Sequence, residues 1–259
     1  MTAVRHLETM SGNTMNPVLL QFGTGAAAQT TQEWLPFTIK ITRDEAQLGK
    51  AVAVRRAAYA RHVPTLAQLL VRPEPCDRDP ATVVLLAESK LDGAPLGTVR
   101  IQTNRSGPLA IEQSVQLPAS LREASLAEPT RLGIVEGRIG RVVKTMLFKA
   151  LYQYCRDAEI DWIVIGARSP LDRQYQALLF EDVFPGKGFI PLRHAGNIPH
   201  RVLAFRMDTA EARWTQANHP LYGLFCRTEH PDIDLRDPRH ARPADQGLRA
   251  GFGLAAVQA

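Results

Sequence analysis

The alternation of apolar and polar side chains predicts that the folded domain begins near Phe37. The segment FTIKITR alternates in the way that a strand with one buried face does. Thr42 or Asp44 can then cap a helix that continues to about His62. The pattern therefore predicts a strand followed by a helix.

Two apolar segments, VVLLAE (83–88) and PLGTVRIQ (95–102), flank the turn residues Asp92 and Gly93. This arrangement predicts a pair of antiparallel strands. A third strand, TRLGIV, is expected after a loop rich in Ser, Glu and Pro.

A long amphipathic helix is predicted from about Ile139 to Asp157, and it should cover one face of a sheet. Its apolar stripe consists of Ile139, Val142, Val143, Met146, Leu147, Ala150, Leu151 and Tyr154.

The segment WIVIGA (162–167) is apolar throughout, which is typical of a central strand buried on both faces. A short helix from about Pro170 to Phe180 and a late strand, HRVLAFRM, follow it. The order β-α-β-β-β-α-β-α-β predicts a mixed α/β (α+β) fold, with one twisted mixed sheet and helices on both faces.

Periodicity is weak at both ends of the chain. Residues 1–35 are expected to form a flexible arm, residues 36–228 the folded domain, and residues 229–259 a tail containing Pro and Arg. With 259 residues and 45% apolar side chains, the chain can bury one substantial core.

Composition indicates a soluble cytoplasmic protein. The apolar runs are shorter than the roughly 20 residues that cross a bilayer, and the N-terminus lacks the pattern of a signal peptide. The three cysteines have no CxxC spacing and are too few for a disulfide framework. A net charge of +5 suits an acidic partner, which could be nucleic acid, an anionic membrane or an acidic carrier protein. No nucleic-acid recognition motif is found, so nucleic acid is the weakest of these.

The segment VEGRIGR joins a strand to the long helix, so it could bind a phosphate. Gly137, Gly140 and the first N–H groups of the helix would face the anion, and Arg138 and Arg141 would add positive charge. Alternatively, the two glycines only turn the chain into the helix.

Arg55 lies on the apolar face of the first helix, in line with Tyr59. A buried guanidinium must be paired, and Asp77 or Asp79 could be its partner. Four of the seven histidines, His194, His200, His219 and His230, have no metal-ligand spacing and are expected on surface loops. No metal site is therefore predicted.

Several of these motifs together resemble the N-acyl amino acid synthases, GNAT-type acyltransferases related to acyl-homoserine lactone synthases. The resemblance covers about residues 37–208 and is carried by Arg55 with Tyr59, the carboxylates of PEPCDRD, GTVR, EPTRL and the glycine-containing turn into a long helix. VEGRIGR matches the usual GNAT phosphate loop only in part.

The resemblance implies that a long-chain acyl group is delivered as a thioester on acyl carrier protein or coenzyme A, with no tightly bound cofactor. It also implies a small amine or amino acid as acceptor and permits peripheral contact with a membrane. The residues to which it assigns function are Arg55, Asp77, Asp79, Arg100, Glu128 and Arg131.

Acyl transfer requires a group that accepts the proton of the amine and donors that face the developing oxyanion. Glu128 is the predicted proton acceptor, directly or through water. Arg131 and Arg100 are expected to hold the carboxylate loop, and Arg55 to bind the carboxylate of the acceptor. The predicted oxyanion donors are the backbone N–H groups of Leu132, Gly133 and Ile134.

Three alternatives remain open at this stage. They are an acyl-homoserine lactone synthase that uses S-adenosylmethionine, an acetyl-coenzyme A dependent N-acetyltransferase, and a binding module that keeps the fold without turnover.

Overall fold

A large mixed β-sheet forms the centre of the structure, a computed structural model that describes residues 30–236. The strands are β1 (Thr31–Gln32), β2 (Phe37–Ile41), β3 (Thr82–Ser89), β4 (Pro95–Thr103), β5 (Leu126–Ile134), β6 (Trp162–Ala167), β7 (Glu181–Asp182), β8 (Ile190–Leu192), β9 (Ile198–Arg206), β10 (Thr228–Glu229) and β11 (Ile233–Asp234).

The strands of the large sheet follow the order β11-β2-β3-β4-β5-β6-β9-β7, and β8 pairs with β9 beside this path. The pairs β11–β2 and β5–β6 are parallel, and the other neighbours are antiparallel. The predicted strands are all present, although β5 begins four residues before TRLGIV. The predicted mixed sheet is thus confirmed.

Helices cover both faces of this sheet, as predicted. Residues 83, 85 and 87 of β3 point into a core shared with the long helix, whereas Val84 and Leu86 pack against Leu48 and Ala51 of the first helix. Because neighbouring residues of a strand face opposite sides, these two helices lie on opposite faces. The helices are α1 (Glu45–Ala60), α2 (Pro64–Leu69), α3 (Ala119–Arg122), α4 (Gly137–Asp157), α5 (Leu171–Ala177) and α6 (Ala210–Gln216).

Helix α1 begins where the sequence predicts, because the side chain of Asp44 accepts a 2.8 Å hydrogen bond from the backbone N–H of Gln47. Helix α4 packs closely on β4, since a Cβ at Gly97 would lie only 2.6 Å from Val143. The predicted stripe of α4 is wrong at its start: Ile139 and Val142 are 38% and 42% exposed, whereas Val143 and Met146 are buried.

The C-terminal part of the described chain belongs to the sheet rather than to a tail. Strand β11 lies beside β2, and the backbone N–H of Ile39 donates to the carbonyl of Asp232. Buried Lys149 of α4 donates to the carbonyls of Leu224 and Thr228 and contacts Nδ1 of His230. The expected boundary of the folded domain at residue 228 is therefore too early. At the other end, β1 pairs with β10, so residues 31 and 32 do not belong to a free arm. Most of the predicted arm and tail lies outside the described residues.

Strands β5 and β6 separate soon after they meet. Their parallel pairing covers only Leu126 with Trp162 and Ala127 with Ile163. Beyond this point β5 still pairs with β4, and β6 still pairs with β9. The sheet therefore opens into a cleft between the later residues of β5 and β6.

Candidate active site

A cavity of about 460 Å³ lies in the cleft between β5 and β6. Its walls come from the end of α1, the later part of β5, the end of β6, the start of α5 and β9. Many of the lining side chains are apolar, and the polar ones include several cations and no carboxylate. The cations and histidines that line it are Arg61, His62, Arg131, Lys144, Arg168 and His200.

Glu74 connects three of the predicted arginines behind one wall of this cavity. Arg131 donates to both of its carboxylate oxygens at 2.7 Å, and Arg100 donates to Oε2 at 3.0 Å. Arg55 lies 3.5 Å from the same oxygen. Burial would raise the pKa of Glu74, but the hydrogen bond and charge of Arg131 and the charges of Arg100 and Arg55 lower it to about 2. Glu74 is therefore a carboxylate at neutral pH.

Arg55 is fully buried and its guanidinium is occupied by Asp77, with hydrogen bonds of 3.0 and 3.1 Å. The predicted pairing of Arg55 is thus confirmed for Asp77. Asp79 instead accepts a hydrogen bond from the backbone N–H of Ala81, which stabilises the turn before β3. Arg55 does not line the cavity, and both terminal nitrogens of its guanidinium already donate to Asp77. The prediction that Arg55 binds an acceptor carboxylate therefore does not fit this geometry. Gly133 allows the close approach of α1, since a Cβ there would lie 2.7 Å from the Cα of Arg55.

Arg131 occupies an irregular position in β5. The pairing of β5 with β4 shifts between Thr98 and Arg100, and Arg131 has a φ of 56°, in the left-handed region that non-glycine residues rarely adopt. Its guanidinium also donates to the carbonyl of His194 at 3.0 Å. Arg100 donates to Thr130 at 3.0 Å as well as to Glu74. The expectation that these two arginines hold the carboxylate loop agrees with these contacts.

Glu128 is fully buried and does not line the cavity. Its Oε2 accepts a 3.0 Å hydrogen bond from the backbone N–H of Ile111, and its Oε1 lies 3.3 Å from Nε2 of His194. Burial raises the pKa of Glu128 to about 7, whereas burial and the charge of Arg131 lower that of His194 to about 4. At neutral pH His194 is therefore uncharged, and Glu128 exchanges its proton near pH 7.

His200 lines the cavity from β9. Its Nδ1 lies 2.6 Å from the carbonyl oxygen of Ile198, which can only accept a hydrogen bond. The proton of the neutral ring therefore sits on Nδ1, and Nε2 carries a lone pair. Burial and the nearby charge of Arg168 lower the pKa of His200.

The prediction that the histidines occupy surface loops is wrong for three of the four. His194 and His200 lie at the site, and His230 is buried beside Lys149. The fourth, His219, is close to the carbonyl oxygen of Ala177 at 2.8 Å. Pro and Gly residues near His200 are typical of loops, so the local sequence did not indicate that β9 begins at Ile198 and contains His200.

Tyr59, a predicted substrate-binding residue, lines the cavity from the last turn of α1. The predicted oxyanion donors are backbone N–H groups of β5, and those of Leu132 and Ile134 face the cleft. The N–H of Val135 donates to the carbonyl of Leu96 on β4. Because N–H groups alternate along a strand, the N–H of Gly133 also points to β4, and those of Leu132 and Ile134 point away from it. Arg61 donates at 2.6 Å to the carbonyl of Ile134 from the cleft side.

The predicted phosphate-binding segment lies at the start of α4. The helix begins at Gly137, and Glu136 before it forms no capping hydrogen bond through its side chain. A Cβ at Gly140 would lie 1.9 Å from the carbonyl oxygen of Val135, so only glycine fits there. Arg138 and Arg141 are exposed on this first turn. The first N–H groups of α4 are therefore left without a side-chain cap, beside two positive charges.

Glu74, Arg168 and His200 were not predicted as site residues. Glu74 could have been found in PEPCDRD, where it was treated only as part of an acidic loop. Arg168 directly follows the apolar strand WIVIGA, and the carboxyl ends of strands in α/β sheets are frequent positions for binding residues.

A family model described as N-acyl amino acid synthase FeeM matches residues 50–188, more than half of the chain. This chain belongs to that family. The matched FeeM region contains most of α1, the acidic loop with Glu74, β3 to β6 and α5, and so includes most of the cavity. The resemblance inferred from the sequence is thus confirmed, and the chain is an acyltransferase of the GNAT type.

The solved structure of FeeM shows the same fold. FeeM, an N-acyl amino acid synthase from uncultured soil microbes, is 15% identical, with 70% of this chain and 96% of that chain covered and a TM-score of 0.56. A coenzyme A-dependent acyl-homoserine lactone synthase, BjaI, solved with SAM and isopentyl-CoA, is 16% identical, with 75% and 93% covered and a TM-score of 0.49. Among curated proteins, no sequence matched. Within residues 30–236, no helix is long and apolar enough to span a membrane.

Proposed function

We propose that this protein transfers a long-chain fatty acyl group from a thioester on acyl carrier protein to the amine of an amino acid. The observation that carries this proposal is the cavity between β5 and β6, which combines apolar walls with cationic groups and has no carboxylate among its lining residues. Such a lining suits an apolar acyl chain together with anionic groups on donor and acceptor. Membership of the N-acyl amino acid synthase family supports the same reaction.

The start of α4 is the proposed binding position for the phosphate of the pantetheine arm. Its free N–H groups and the partial positive charge of the helix end favour an anion there. Ile134 and Lys144, which flank this turn in the sequence, both line the cavity. A pantetheine arm bound at the start of α4 would therefore enter the cleft from the side of α4. Exposed Arg138 and Arg141 would also attract an acidic carrier protein.

The thioester carbonyl would lie beside β5, where the N–H groups of Leu132 and Ile134 face the cleft. Such preorganised donors stabilise the negative charge that develops on the carbonyl oxygen as the amine attacks. Arg131 and Arg100 would keep this part of β5 in place through Glu74.

Glu128 would act at a distance from the substrates, because it is buried and does not line the cavity. The proton that the ammonium form of the acceptor loses before attack would reach it through a water molecule or through the contact with His194. Since its pKa is raised to about 7, the carboxylate can hold such a proton near neutral pH.

A matrix of donors and acceptors tests the proposed function. Acyl carrier proteins and coenzyme A loaded with acetyl, octanoyl and hexadecanoyl groups would each be incubated with the twenty amino acids and with S-adenosylmethionine, and products would be weighed by mass spectrometry. The expected product is an N-acyl amino acid made fastest from the hexadecanoyl carrier protein. An acyl lactone, products from acetyl-coenzyme A alone, or no product with any pair would each contradict the proposal.

A further inference from the structure

Arg168 directly follows the last residue of β6, and His200 lies on the neighbouring strand β9. Strand β6 pairs with β9 from Trp162 opposite Arg206 to Ala167 opposite Arg201, so the next position in this register places Arg168 opposite His200. Residues opposite each other on antiparallel strands point to the same face, with Cβ atoms roughly 5 Å apart. Both residues line the cavity, which agrees with this placement.

Among the cations that line the cavity, Arg168 is the one with a free guanidinium. Arg131 is paired with Glu74, and Arg61 lies 3.1 Å from Glu136. Lys144 donates to the side-chain oxygen of Gln174. By contrast, no group within the described range 30–236 forms a hydrogen bond or ion pair with the side chain of Arg168. A planar guanidinium without a partner in a partly apolar cavity suits a carboxylate, which it can bind with two parallel hydrogen bonds.

His200 offers the complementary chemistry at the same place. Because its Nδ1 donates to the carbonyl of Ile198, the ring is held with Nε2 as an acceptor. A Cβ built on Gly166, which also lines the cavity, would lie 3.7 Å from Cδ2 of His200, an ordinary contact distance, and 2.4 Å from Cδ1 of Leu192. The imidazole ring therefore lies beside this glycine. An imidazole with a free Nε2 at the cavity wall can accept a proton from a bound amine.

We propose that Arg168 and His200 form the acceptor half of this site: Arg168 binds the carboxylate of an α-amino acid, and Nε2 of His200 accepts the proton of its amine. The two groups of an α-amino acid are separated by a single carbon, which matches two side chains on opposite strand positions. This inference rests on the proposed function, and it specifies the acceptor as an amine that carries a carboxylate.

The reaction balances as follows. The neutral amine nitrogen attacks the thioester carbonyl, a C–N bond forms, and the N–H proton moves to Nε2 of His200. The C–S bond then breaks, and the imidazolium of His200 gives this proton to the thiolate that leaves, so the products are an amide and a free thiol.

The groups that line the cavity beside His200 are cations and neutral groups, whereas the carboxyl groups of Glu74 and Glu128 lie behind the wall, next to Arg131 and His194. Burial and the charge of Arg168 both disfavour the protonated form of His200 and lower its pKa below the ordinary value of 6.5. In the free enzyme the imidazole should therefore stay neutral, and able to accept a proton, at pH 6.5 and somewhat below. The titratable and charged groups that share the cavity or contact its wall are Arg168, Arg131, His194, Arg61, His62, Lys144, Tyr59 and Tyr175.

The test compares amino acids with their primary amides, which keep the amine and lose the carboxylate charge. For the wild-type enzyme, the KM of the amide should be at least about 10-fold above that of the acid. Arg168→Met should raise the KM of the acid by about 10- to 100-fold and leave that of the amide unchanged, and Arg168→Lys should recover part of the loss. Arg173→Met, an exposed arginine of α5 outside the cavity, is the matched control and should change neither KM.

His200→Gln should lower kcat by roughly 100-fold or more at unchanged KM. Below about pH 6.5 it should also reduce the slope of log kcat/KM against pH by about one relative to the wild type, because one of the groups that must be unprotonated is gone. Thermal unfolding of each variant controls for folding, and the acid-to-amide ratio of the wild type tests the proposal even if a variant does not fold.

Equal effects of Arg168→Met on acid and amide, or a slope of log kcat/KM against pH that is unchanged in His200→Gln, would overturn this inference while leaving the proposed function intact. Absence of product from the wild type with every donor and acceptor would overturn both, so the two failures are distinguishable.

Discussion

Both carboxylate oxygens of Glu74 accept hydrogen bonds from Arg131, each 2.7 Å long. This pair joins the acidic loop before β3 to the irregular part of β5, and these two segments are 57 residues apart in the sequence. Arg131 has a positive φ, which costs a non-glycine residue on the order of 1 kcal/mol. The bidentate pair offsets this cost and fixes the strand at the point where it turns its N–H groups toward the cleft.

Glu74→Gln should lower the free energy of unfolding by about 2 kcal/mol. The substitution removes the carboxylate on which Arg131, Arg100 and Arg55 converge, and it leaves their charges partly uncompensated in a mostly buried place. Urea denaturation of the purified variant would measure the change.

Glu45→Gln is the matched control for this experiment. Glu45 also forms two hydrogen bonds with an arginine, Arg78, but this pair lies at the surface. Exposed ion pairs contribute little, so the control should unfold like the wild type. A Glu74→Gln variant as stable as this control would show that the Glu74 cluster does not stabilise the fold.

The same carboxylate should make stability depend on acidic pH. The folded-state pKa of Glu74 is about 2, below its ordinary value of 4.5, so the stabilisation is complete above about pH 4.5 and is lost as the pH falls toward 2. Allowing for partial exposure, this contribution amounts to about 1–2 kcal/mol. Unfolding free energies between pH 5 and 2.5 should fall more steeply for the wild type than for Glu74→Gln, and parallel curves would contradict this account.

Glu128→Gln should lower kcat by about 10-fold or more with a small effect on stability. Glutamine keeps an oxygen for the N–H of Ile111 but cannot take up a proton beside His194. Steady-state kinetics with a saturating donor would measure the change, and an unchanged kcat would remove Glu128 from the proton pathway. Glu128→Ala should be less stable, because it leaves the buried N–H of Ile111 without an acceptor.

Gly133→Ala should destabilise the protein by about 1–3 kcal/mol, because its Cβ would lie 2.7 Å from the backbone of Arg55 and push α1 away from β5. Gly49→Ala provides the comparison: Gly49 lies in the exposed part of α1 with nothing within 4 Å, so alanine there should stabilise by about 0.5–1 kcal/mol. Thermal unfolding would rank the two variants, and the reverse order would show that α1 does not pack on β5 in this way.

Charge reversal at the start of α4, in the double variant Arg138→Glu and Arg141→Glu, should raise the KM for an acyl carrier protein donor by about 10-fold at low salt. The effect should shrink as salt is added, because exposed charges are screened. Arg122→Glu, an exposed arginine of α3, is the control for net charge. Equal KM values for the double variant and this control would show that the carrier protein does not dock at α4.

The six longest strands and the two long helices could be predicted because their signals are local. Alternation of apolar and polar residues marked β2, apolar segments on either side of a turn marked β3 and β4, and Asp44 marked the start of α1. The pairing of Arg55 with an acidic partner also followed from the sequence, since a charge on an apolar helix face must be neutralised.

The cavity-facing groups could not be predicted in the same way. Whether Arg55 or Arg168 has a free guanidinium depends on which carboxylates the fold brings near each of them, and Glu74 and Asp77 approach Arg55 only through the tertiary structure. The exposure of Ile139 and Val142 likewise depends on which parts of the fold lie against the start of α4. Such facts are set by long-range packing, which a local pattern does not contain.

In the proposed reaction, the separation of β5 from β6 divides the two substrates between two rigid supports. Groups that would meet the acyl donor lie on β5 and the start of α4. On the other side of the cleft, Arg168 follows the end of β6 and His200 lies on β9. Substitutions on one side of the cleft can therefore change selectivity for one substrate without disturbing the groups that bind the other. A family built on this arrangement can diversify its acyl donors and its amines independently.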